Sequence, residues 1–105
     1  MPWYQYIAYF FGGAFLANAI PHFSNGISGR SFPTPFAKPP GKGLSPPLVN
    51  VLWGAFNALV GYLLVFHVGY FATHDTGNMA IVGAGALLMG VMLSQAFGKL
   101  FSGKS

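Results

Sequence analysis

The chain has no cysteine and, in 105 residues, one acidic side chain, Asp75. Without thiolates there are no disulfides, no Cys-ligated zinc or iron-sulfur cluster, and no covalently attached c-type haem. With a single carboxylate, acid-base chemistry by a carboxylate pair is excluded. Charge is scarce altogether: 6% of residues are Asp, Glu, Lys or Arg and 53% are hydrophobic, whereas soluble domains carry about 25% charged residues. Water is therefore not the main solvent of this chain. The net charge of +4 comes from five dispersed basic residues, a pattern explained by membrane topology and anionic headgroups rather than by nucleic acid.

What is present is apolar sequence in three runs. Trp3 to Ile20 and Leu48 to Phe71 contain no Asp, Glu, Lys or Arg, and a third run from Met79 to about Phe101 is free of them until Lys99. At about 1.5 Å per helical residue, each run is long enough to cross a hydrocarbon core of about 30 Å or nearly so. Ala17-Asn18-Ala19 has the form of a signal-peptidase site, but no Lys or Arg precedes the first run, so an uncleaved span is expected. Gly12-Gly13 would let a neighbouring helix approach closely or allow a kink. Between the first two runs, Pro21 to Pro47 holds seven of the eight prolines and three of the five basic residues, which excludes a continuous helix and predicts a loop. The ATHDTGN segment reads as a short connection with Gly77-Asn78 as its turn.

The expected fold is all-α: a single transmembrane domain over residues 1–105, with three spans at about 3–20, 48–71 and 79–101 and a long Pro/Gly-rich loop over 21–47. Arg30, Lys38 and Lys42 in that loop and Lys99 and Lys104 near the C-terminus fall on one side of such a topology. The positive-inside rule makes that side cytoplasmic and the N-terminus external. The expected location is the bacterial inner membrane.

Ala86, Gly90, Ser94 and Gly98 recur every four residues and line one face of the third helix with small side chains, a surface suited to close helix contact within the chain or with a partner. Asn50, Gly54 and Ala58, with Asn57 and Gly61 beside them, do the same on the second helix. In the loop, Phe23, Phe32 and Phe36 are expected to be buried against a neighbour or the interface, with Arg30, Lys38 and Lys42 toward lipid phosphates. The prolines contain no P-x-x-P pair, and PPGKGLS lacks the spacing of a phosphate-binding loop. His22 and His67 lie about 25 Å apart along the helices and cannot share a metal ion. His67 with His74 and Asp75 makes only a sparse ligand set, so no metal site is expected and no cofactor is required. A Ser-His-Asp set fails as well, since Asp75 is remote from His22 and no serine accompanies His67 or His74.

These features point to a non-catalytic accessory, assembly or stabilising subunit whose partners are larger membrane proteins and anionic lipids. A homo-oligomeric channel or transporter, with Asn50 and Asn57 along its path, is the alternative. A haem- or pigment-binding subunit using His67 is the third.

Overall fold

The computed structural model describes residues 3–68 and 75–102. Three helices, α1 (Trp3–Ile27), α2 (Pro47–Phe66) and α3 (Thr76–Phe101), carry most of the chain, and a short hairpin of β1 (Phe32–Pro33) and β2 (Leu44–Ser45) joins the first two. Helices α2 and α3 each pack on α1, giving a body 44 × 26 × 20 Å. Both α2 and α3 are long and apolar enough to cross a membrane. Neither resembles the core helix of a water-soluble protein, because only 28% and 6% of their most apolar windows are buried within the fold. Leu52, Phe56, Leu59, Leu87 and Met92 all point outward, so these faces need a non-aqueous cover.

Glycine sets the spacing of the helices. On one side of α1, a β-carbon at Gly61 would stand 2.9 Å from the Gly12 carbonyl oxygen, and one at Gly12 would stand 3.1 Å from that of Gly61. On the other side, Gly13 meets the Val82 carbonyl and Gly85 meets the Phe10 carbonyl, again with no room for a β-carbon. The adjacent Gly12 and Gly13 thus serve two different neighbours, each through close backbone approach.

Three expected boundaries are corrected. The first helix does not end at Ile20; it runs through Pro21 to Ile27, so the loop is shorter than 21–47. Proline removes one backbone donor and crowds the carbonyl four residues earlier. Here the turns beyond it are retained by tertiary contact, since His22 and Gly26 are buried and Gly26 lies against Pro47 and Val51 of α2. Locally, Ser24 Oγ donates to the Ile20 carbonyl at 2.5 Å and Asn25 Nδ2 donates to the Pro21 carbonyl at 2.7 Å. The helix ends at Ile27, and two residues on Gly29 has a φ of 74°, the left-handed conformation common after helix ends.

The second helix ends at Phe66, with His67 as its C-cap and the His67 amide bonded to the Leu63 carbonyl at 2.9 Å. The expected continuation to Phe71 stops short, and positions 69–71 lie outside the described residues, as does His74. The third helix starts at Thr76, so Gly77 and Asn78 form its first turn rather than a reversal. Asp75 decides this, because its side chain accepts from the Asn78 amide at 3.1 Å, the N-cap arrangement that supplies one otherwise unpaired donor with an acceptor.

Candidate functional site

The C-terminal ends of α1 and α3 and the N-terminal end of α2 meet at one end of the bundle, and the hairpin lies across them. Its strands pair Phe32 with Ser45 and Pro33 with Leu44. Thr34 organises the turn beyond: its carbonyl accepts from the amides of Ala37 at 3.2 Å and Gly41 at 2.8 Å. Its hydroxyl lies 2.6 Å from Ser45 Oγ and accepts from the Phe36 amide at 3.1 Å. The Pro39 carbonyl closes the tip by accepting from Lys42 and Gly43. The segment is therefore an ordered cap, and it caps this chain's own helices.

Asn50, with no exposed surface, is the residue that locks it down. Its Nδ2 donates to the carbonyls of Phe32 at 3.0 Å, Ser45 at 3.1 Å and Pro46 at 3.3 Å, which ties both strands to α2. Its Oδ1 faces His22 Nδ1 at 2.9 Å. A carbonyl oxygen only accepts, so the His22 nitrogen donates, and α1 joins the same lock. About two turns along α2, Asn18 Nδ2 donates to Asn57 Oδ1 at 3.0 Å and Asn57 Nδ2 donates to the Trp53 carbonyl at 2.8 Å. Asn50, Gly54, Asn57 and Gly61 are all buried, as their helical spacing implied. From sequence, His22 enters only as a candidate for metal binding and catalysis and Asn18 only within a cleavage-site pattern, although their own four-residue spacing places them on one face of α1 as partners for these asparagines.

Aromatic rings fill the space around the lock. The His22 ring is surrounded by Phe32 at 5.4 Å, Trp53 at 6.4 Å and Phe97 at 6.4 Å. Phe32 also packs on Phe97 at 4.7 Å and Phe101 at 5.7 Å. Phe32, expected to be buried against a neighbour or the interface, is instead buried inside this chain, bridging the hairpin to α3. Phe36 is 65% exposed and stands edge-on to Trp53 at 5.0 Å, while Trp53 stacks on Phe56 at 5.7 Å. The Trp53 indole nitrogen is buried and has no hydrogen-bond partner among the described residues. Phe23 is exposed and lines a groove of about 520 Å³ with Leu16, Ala19, Ile20, Gly54 and Ala58.

The stripe on α3 divides. Ala86 lies near Gly13 of α1, but Gly90 and Gly98 face open space and Ser94 is exposed, its hydroxyl donating to the Val91 carbonyl at 2.8 Å. Contact of α3 with α1 runs through Val82, Gly85 and Ala86, and spacing alone does not pick out Gly85 because its neighbourhood offers Gly or Ala on several faces. Arg30, Lys38, Lys42 and Lys99 are exposed at the hairpin end, where Arg30 Nε donates to Asn25 Oδ1 at 3.1 Å. Asp75 caps the opposite end of α3. His67 is exposed, with the Tyr62 ring 5.3 Å away, and among the described residues no three His, Cys, Asp or Glu side chains gather to hold a metal. The arrangement presents cations and apolar faces on a braced scaffold, which suits recognition. Comparison with protein-family models, with curated proteins and with solved structures gives no match.

Proposed function

We propose that this chain is a non-catalytic accessory subunit that assembles with or stabilises larger proteins of the bacterial inner membrane. It spans the bilayer three times, with the N-terminus outside and the hairpin and C-terminus in the cytoplasm. The observation that carries the reading is the outward face of α3. Gly83, Gly90 and Gly98 would each admit a β-carbon without contact, and Ser94 lies among them. Small residues on a lipid face add nothing to packing, whereas against another helix they permit close backbone approach. One internal interface, through Gly85, already satisfies α3 within the chain. The gathering of Arg30, Lys38, Lys42 and Lys99 at one end supports the orientation, by the preference of basic residues for the cytoplasmic side.

The channel alternative loses support from its proposed lining, because Asn50 and Asn57 are consumed by hydrogen bonds inside the α1–α2 contact. Native mass spectrometry after mild solubilisation tests the proposal. The accessory role expects this chain bound to larger, different subunits; species at whole multiples of 11.2 kDa alone would support the homo-oligomer instead. Gly90→Leu is expected to weaken that association more than Leu87→Ala. Equal recovery of the two variants would place the stripe against lipid and remove the basis of the proposal.

A further inference from the structure

Outside the Asn50 lock, one surface combines a pre-shaped apolar groove with unpaired positive charge. Phe36 forms one wall, and Val49, Leu52, Trp53 and Phe56 of α2 form the other, enclosing about 330 Å³. The α2 residues follow the spacing of a single helix face, so the groove runs along the helix for about 10 Å. Phe36 is held by its amide bond to Thr34 Oγ1 and its edge contact with Trp53. Two residues beyond it begins the tip from which Lys38 and Lys42 project. That tip is braced by the bonds from Gly41 to Thr34 and from Lys42 and Gly43 to Pro39. Both lysines are exposed, and the single acidic side chain, Asp75, caps α3 at the far end, so among the described residues neither lysine has a carboxylate partner.

We propose that this surface is a binding site for one anionic phospholipid, with the phosphate between Lys38 and Lys42 and an acyl chain along the Phe36–Trp53–Phe56 groove. The proposal rests on the membrane reading above and deepens it. A chain entering from the hairpin end lies parallel to α2, which is the direction of lipid tails, and its headgroup meets the cations at the same level. Charge complementarity selects this occupant over a partner helix, because an apolar helix gains nothing from two exposed lysines in the adjoining tip. Neither this groove nor the larger one beside Phe23 has a charged side chain in its own lining; what distinguishes this one is Lys38, two residues beyond Phe36 in the braced tip.

The test uses the full chain in nanodiscs of equal phosphatidylglycerol and phosphatidylcholine, followed by native mass spectrometry of the lipid retained on the released protein. Phosphatidylglycerol is expected to be retained in preference, and Lys38→Gln with Lys42→Gln to reduce that preference by about fivefold per lysine. Phe36→Ala should lower retention of both lipids while leaving the preference intact, and Phe36→Leu should restore most of it. Competition by inorganic phosphate as effective as that by phosphatidylglycerol would show a phosphate site without an acyl seat and overturn the groove. Equal retention of the two lipids, or a lysine double variant with undiminished preference, overturns the headgroup assignment. Loss of a co-purifying protein on Phe36→Ala with lipid retention unchanged assigns the groove to a partner and overturns the proposal. Failure of the chain to enter the detergent phase on phase separation would overturn the membrane reading itself, a result distinct from all of these.

Discussion

Replacing Asn50 with leucine, which keeps the branch at Cγ but can neither donate nor accept a hydrogen bond, should release the hairpin while leaving the helices assembled. Three groups outside α2 lose a buried partner: the Phe32 and Ser45 carbonyls and the His22 Nδ1–H. The Pro46 carbonyl does not, since it also accepts from the Asn50 amide at 3.2 Å. Only the Phe32 and Ser45 bonds hold the hairpin, since the His22 bond joins α1 to α2; at about 1 kcal/mol for each buried bond, their loss is about 2 kcal/mol, and more if the carbonyls are left dry. Each 1.4 kcal/mol is a factor of about ten, so the open fraction of the hairpin should rise about thirtyfold. Arg30 and Lys42 supply the assay, as both are exposed trypsin sites in the hairpin segment. In reconstituted protein their cleavage rate should rise by that factor when opening is faster than cleavage. Asn57→Leu is the control, because its bonds join α1 to α2 and do not touch the hairpin. Cleavage of Asn50→Leu within twofold of the parent, or equal acceleration in both variants, would refute the assignment of Asn50 as the lock.

Other outcomes follow from the same contacts. Thr34→Val keeps shape but removes the link to Ser45 Oγ and the acceptor for the Phe36 amide, so exchange of that amide should accelerate by about thirtyfold for a loss of about 2 kcal/mol. Unchanged exchange would mean the turn is held by its backbone alone. Gly61→Leu would force a β-carbon to 2.7 Å from Leu16 Cγ and 2.9 Å from the Gly12 carbonyl oxygen, and should lower the thermal midpoint sharply. Gly90→Leu, which meets open space, should leave the midpoint of the isolated chain unchanged, and a comparable fall in both would contradict the packing described for α3. Because the chain has no native cysteine, single-cysteine labelling reads topology cleanly. Pro40→Cys and Ser102→Cys should react with impermeant reagent only from the cytoplasmic side and Thr76→Cys only from outside. Labelling of Thr76→Cys from the cytoplasmic side would overturn the orientation.

Much of this architecture is legible from composition and spacing, for physical reasons that act locally. Uncharged apolar runs must leave water together, so the three helical segments and their approximate cores follow from the residues alone. The stripe of Asn50, Gly54, Asn57 and Gly61 is readable because helical periodicity places those side chains on one face, and amides and glycines belong where helices touch. What tertiary structure decided are the places where two local preferences compete. Pro21 is a helix breaker by local rules, yet α1 passes through it because the buried contacts of His22 and Gly26 with α2 outweigh one lost backbone bond. Gly77-Asn78 signals a turn, yet Asp75 caps α3 and draws both into a helix. Phe32 and Phe36 look equivalent around FPTPF, but the hairpin register buries one against Phe97 and leaves the other on the outside of α2. Residue spacing within a loop cannot encode that difference. It arises only when Asn50, eighteen residues beyond Phe32, closes the strands over the helix ends and determines which ring faces inward.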